Sequence, residues 1–129
     1  MVIQQQKKYK ILLVGDSCTD EYHYGSTDRI SPEAPVPVFQ YKNTKTNPGM
    51  AANVNENLLA FGCDVEFVTN KEQITKSRYI DYRSGQHLIR VDKEDKVKSC
   101  KVEFNSLDYD AIVISDYNKG FVTEELIIN

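Results

Sequence analysis

The chain has 129 residues, 40% of them apolar and 27% charged, with a formal net charge of −3. That is chain enough for one hydrophobic core, and the acidic balance argues against a nucleic-acid surface as its main business. No run reaches the roughly 18 apolar residues of a membrane span, and the polar start MVIQQQKKYK before the short run KILLVG makes no signal-peptide core, so a cytoplasmic chain that meets neither membrane nor nucleic acid is expected.

Residues 1–8 are polar and expected to fray. Residues 9–14 (YKILLV) read as a buried strand of a parallel sheet, closed by Gly15-Asp16. Residues 21–25 (EYHYG) are aromatic and strand-like. GSTDRISPEAPVPV follows, with Pro32, Pro35 and Pro37 close together. Residues 36–41 have strand character, and Pro37 suits an edge strand. NTKTNP, residues 43–48, is a turn cluster. Residues 49–61 (GMAANVNENLLAF) are the clearest helix: Ala51, Val54, Leu58 and Phe61 recur on one face, and Gly62 ends it. VEFV, 65–68, is the next strand, completing a strand–helix–strand unit with a long insertion.

Further on, Ser84-Gly85 separates two strand-like pieces, 77–82 and 86–91, as in a hairpin. Residues 93–101 (KEDKVKSCK) read as a solvated loop. DAIVIS, 110–115, is a third buried strand, DYNKG a turn, and Thr123 the N-cap of a last helix. Cys18, Cys63 and Cys100 show no CxxC spacing and are expected to be reduced structural thiols, with Cys18 singled out because it follows the first strand.

Four stretches can carry chemistry. VGDSCTD sets Asp16 and Asp20 just past a strand end, where open α/β sheets bind ligands and carboxylates can hold sugar hydroxyls; acids there also cap turns. In NPGMAANVNEN, Gly49 lets backbone N–H groups approach a ligand at a helix start and Asn53 lies one turn in, although plain helix capping explains the same residues. In ITKSRY and HLIRVD, Lys76 and Arg78 share a strand face and Arg90 sits on the return strand. These cations can hold a phosphate, or be a solvated face paired with Asp81 and Asp92. SDYNKG, after the third strand, suits a polar ligand. His23 and His87 read as structural or surface residues. No dinucleotide fingerprint, Walker loop, GxSxG or HExxH string occurs. Two periodicities are interleaved: three apolar strands with a helix, and a half-exposed sheet from 21–42 and 76–92.

VGDSCTDEYHYGSTDRISPEAPVPV, then NPGMAANVNENLLAFG, ITKSRY, HLIRVD and ISDYNKG together resemble the ribokinase/pfkB sugar kinases, and among them the D-glycero-β-D-manno-heptose-7-phosphate kinases. The likeness runs from about residue 10 to 125, and RISPEAPVPV is its most specific part. It implies one truncated ribokinase-like α/β domain over 1–129: a short parallel sheet with few helices and a small β-sheet lid, about 21–42 and 76–92. It implies sugar contacts from Asp20, Gly49 and Asn53, and a basic hairpin near the sugar's phosphate. It implies a homodimer through lid strands or pairing with a complementary kinase chain.

The departures are Met50, where the family has a second Gly, and a jump after Asn70 where members carry another helix and strand. No DTxGAGD-like string, which in the family holds the catalytic aspartate and the ATP phosphates, is present. The resemblance therefore implies no catalytic residue here, no bound ATP or magnesium for this chain alone, and no ATP-dependent turnover by it. A non-catalytic sugar-phosphate-binding module, or one for lid-mediated dimerisation or regulation, is the alternative.

Overall fold

A computed structural model describes residues 7–93 and 96–128. The elements in chain order are β1 (Lys10–Gly15), β2 (Ser17–Ser26), β3 (Gln40–Met50), α1 (Ala51–Ala60), β4 (Asp64–Thr69), β5 (Thr75–Asp81), β6 (His87–Lys93), a 3-10 turn (Ser106–Asp108), β7 (Ala111–Ser115) and α2 (Glu124–Ile128). They fall into two compact units: residues 7–18, 48–73 and 96–128 in one, and 19–47 and 74–93 in the other. The stretches expected as a separate sheet, 21–42 and 76–92, lie in the second unit.

The first unit is built on a three-stranded parallel sheet of order β4-β1-β7. β1 is central because it is the one strand apolar on both faces. Leu12, Leu13 and Val14 are at most 1% exposed, so both sides of this strand are covered. α1 packs on β1 and β4, completing the strand–helix–strand unit that the sequence suggests. The flanking strand β7 was expected to be buried. Instead Ile112 and Ile114 are 39% and 42% exposed, since β7 has only β1 beside it. Phe61, expected on the buried helix face, lies in the turn after α1 and is exposed; Gly62 stops the helix there at φ 80°.

The segment expected as a solvated loop, 93–101, is only partly one. Lys93 ends β6, and 94–95 lie outside the described residues, as do 1–6 of the expected frayed start and the terminal Asn129. Val97 is buried, and its N–H donates to Lys119 O at 3.1 Å, while that of Cys100 donates to Phe121 O at 2.8 Å. These bonds tie the segment to the turn after β7.

The second unit holds a four-stranded sheet of order β3-β2-β5-β6, with β2 and β5 parallel and β5 and β6 antiparallel. The expected hairpin is β5–β6, closed with Gly85 at φ 72°. Two expectations fail. Residues 43–48, read as a turn, are the middle of β3; their polar side chains suit an exposed edge strand, and pairing with β2 overrides turn propensity. Residues 36–38, read as strand, close a loop instead. Ile30 bridges Pro37, and the Val38 N–H donates to Arg29 O at 2.9 Å, since a chain with Pro35 and Pro37 lacks the donors for a continuous ladder.

The helix was expected from residue 49 but begins at Ala51. Met50 turns the chain directly from β3 into α1 at φ 57°, ψ −131°, a conformation that favours glycine, while its side chain is buried. Met50→Gly relieves strain and Met50→Ala does not, although both lose the same burial. Urea unfolding should therefore find the glycine variant about 1–2 kcal/mol more stable than the alanine variant, against the usual order at a helix start. Equal stability, or alanine ahead, would show that Met50 carries no strain.

Candidate functional site

At the carboxyl end of β1 the chain gathers a buried polar cluster. Asp16 is 0% exposed. Its carboxylate accepts from the N–H groups of Tyr117 at 2.8 Å, Phe121 at 3.2 Å and Lys119 at 3.4 Å, all in the turn after β7. Its backbone oxygen accepts from the Ala51 N–H, the first of α1, at 2.9 Å. The turn-capping role open to Asp16 is the one it fills: it shapes strand end, helix start and DYNKG turn together. Gly15, just before it, is the close-approach point of β1 and β7; a Cβ there would lie 2.1 Å from Ser115 O. Gly49 is buried, two residues ahead of α1, and Asn53 is exposed in its first turn.

A second cluster at this end was not foreseen. Asn70 Oδ1 accepts from the Ser17 N–H at 2.8 Å, Asn70 Nδ2 donates to Glu72 O at 2.6 Å, and Thr69 Oγ1 donates to Gly15 O at 2.7 Å. The only hint in the sequence is a polar Thr-Asn closing an apolar strand.

Asp20, Lys76, Arg78 and Arg90 all belong to the second unit. Asp20 lies within β2 and not in a turn, since β2 starts at Ser17, one residue after Asp16. Register sets the face. Asp20 pairs with Lys76 and Tyr22 with Arg78, while Lys76 pairs with Asp92 and Arg78 with Arg90. Alternation puts all of these side chains on one side of the sheet. Arg78 donates to Asp20 Oδ1 at 2.8 Å, both side chains under 20% exposed, and its guanidinium lies 5.1 Å from the Tyr22 ring centre. Arg90 donates from Nε and Nη2 to the two oxygens of Asp92, each at 2.7 Å. That fork holds the Asp92 carboxyl below the usual carboxylate range. Asp92 is thus a partner of the basic hairpin, as one reading had it. Asp81 is not: it accepts from the N–H and hydroxyl of Ser84 and braces the hairpin turn.

The opposite side of the same sheet carries a network the sequence did not reveal. His23 Nε2 lies 3.1 Å from Glu21 Oε2 and Nδ1 lies 2.7 Å from Thr44 Oγ1. Ser77 donates to Glu21 at 2.9 Å, and the Tyr79 ring stacks on His23 at 4.8 Å. His23 is thus held within this network by contacts from three strands. Among the described residues no group of three His, Cys, Asp or Glu is placed to hold a metal ion, and no helix is long and apolar enough to cross a membrane. The three cysteines are unbridged, and Cys18 is buried.

Asp16→Asn sets an amide N–H₂ against backbone donors. Denaturant unfolding should show a loss of about 2–3 kcal/mol, with Asp16→Ala at least as severe. A loss below about 0.5 kcal/mol would show that the carboxylate does not organise these turns.

No family model matches the chain. Over 92% of its length it is 34% identical to the bifunctional protein HldE of Nitratiruptor sp., covering 33% of that protein. Over 91% it is 34% identical to the bifunctional protein HldE of Helicobacter pylori, again covering 33%. The first of these alignments spans 155 residues, more than the 129 present here, so that relative carries stretches inside the matched region that this chain lacks. Among solved structures, a carbohydrate kinase from Agrobacterium tumefaciens overlaps 67% of this chain and 36% of its own at a TM-score of 0.37 and 14% identity. A ribokinase from Thermotoga maritima overlaps 65% of this chain and 36% of its own at 0.38 and 13%. By sequence, the chain is similar to the bifunctional HldE proteins along nearly all of its own length and about one third of theirs.

Proposed function

We propose that the chain is the sugar-binding part of a carbohydrate kinase of the heptose 7-phosphate class. In this reading the charged side of the four-stranded sheet is a lid surface that meets the sugar phosphate. The observation that carries it is the register that sets Arg78 opposite Arg90, with Lys76 and Asp20 on the same side. Three cations face two carboxylates, Asp20 and Asp92, leaving one positive charge in excess (3 − 2 = 1). Guanidinium groups already held by carboxylates are oriented for bidentate exchange onto a phosphate, and the carboxylate so released can accept from a sugar hydroxyl. Kinship with HldE along almost the whole chain supports the same class.

Phosphoryl transfer also needs held nucleotide phosphates, a metal and a base. These 129 residues contain no DTxGAGD-like string, and among the described residues no group of three His, Cys, Asp or Glu is placed to hold a metal ion. The reading therefore assigns them binding and not turnover, with ATP and magnesium handled by other residues. The sheet ends in β6, whose seven residues are all exposed, and there the reading sets pairing with a second copy or with a complementary kinase chain.

Calorimetry with D-glycero-D-manno-heptose 7-phosphate should give saturable heat. Binding should be about tenfold weaker or worse in Arg78→Ala and Arg90→Ala, and weaker for the unphosphorylated heptose. Silence at millimolar sugar phosphate would remove the proposal. ADP release from ATP by the 129-residue chain should stay at background; turnover abolished by Asp20→Ala would overturn the assignment of binding alone.

A further inference from the structure

The first unit contains a cavity of about 450 Å³ at the carboxyl end of β4, lined by none of the residues assigned to sugar-phosphate binding above. Its size is that of a small-ligand site, and ligands of open α/β sheets bind at the carboxyl ends of strands. One wall is apolar: Val68 from β4, Val102, and the buried Phe121. The rim is basic. Lys71, Lys98 and Lys101 line it, against one carboxylate, that of Glu72, for an excess of two positive charges (3 − 1 = 2). Glu72 is already engaged, accepting from the Lys98 N–H at 3.2 Å. Among the described residues none of the three ammonium groups forms an ion pair.

The segment that forms the basic wall is anchored, so the cavity is not a gap beside a loose loop. Val97 is buried and the Cys100 N–H is bonded to Phe121 O, fixing the chain on both sides of Lys98.

We propose that this cavity binds a small amphipathic organic anion, its apolar body against Val68, Val102 and Phe121 and its acidic group among Lys71, Lys98 and Lys101. Lysines suit such a ligand because each ammonium is a mobile point charge whose stem adds apolar surface. The acidic group is a carboxylate or a phosphate.

The test is a titration of the nitrogen-labelled 129-residue chain with decanoate, decyl phosphate and decanol, followed by backbone amide shifts. One or both anions should saturate, with shifts concentrated at Thr69, Glu72, Cys100 and Val102, and the tighter of the two identifies the acidic group. Decanol should bind about tenfold more weakly or not at all, and added salt should weaken the anions. In Lys98→Glu/Lys101→Glu, with an unchanged circular dichroism spectrum, anion affinity should fall about tenfold or more. No saturable shift with either anion at millimolar concentration would overturn the proposal. So would decanol binding as tightly as the anions, or salt leaving their affinity unchanged. None of these outcomes bears on heptose 7-phosphate binding at the other sheet.

Discussion

The first unit depends on one buried carboxylate. The turn after β7 and the start of α1 converge where β1 ends, and between them they bring four backbone N–H groups that no ladder satisfies. Asp16 answers three of them with its side chain and a fourth with its carbonyl. A charge with no solvent contact is tolerated only when it is fully bonded, and here the bonds come from backbone that cannot move away. The DYNKG turn, the start of α1 and the end of β1 are thereby one object. Asp16 is therefore an organiser of the strand end.

The charged side of the second unit obeys a different rule. Its cations are not bare: Arg78 and Arg90 each hold a carboxylate. The Arg90–Asp92 pair is about half exposed, and such pairs add little stability. Their value lies in orientation, since a guanidinium fixed in plane by one oxyanion meets a second with less entropy to lose.

Much of this was legible in the residues and some was not, for identifiable reasons. The continuous apolar run of β1 announces a strand covered on both faces, and Ser84-Gly85 between alternating stretches announces β5–β6. The same apolar reading overstated β7, because periodicity cannot say whether a strand has one neighbour or two. Residues 43–48 look like a turn until β2 lies beside them; their strand character comes from that partner strand and not from their own residues. Met50 departs from the pattern of the sugar-kinase family, but that it is both buried and held at positive φ is visible only in three dimensions. The networks around Asn70 and His23 join polar residues 53 and 21 positions apart, which no local pattern reveals.

The order of the first sheet sets the timing of its assembly. β1 is the central strand and the first to be synthesised, yet Ile11 pairs with Ala111. Until about a hundred further residues have left the ribosome, at roughly 5–20 per second, one edge of the most apolar strand has no partner. For those seconds ILLV is an unprotected edge of the kind that nucleates misassembly, and long-range pairing of this sort folds slowly. The open edge of β1 during the interval before β7 is made is thus a hazard separate from the stability of the finished sheet.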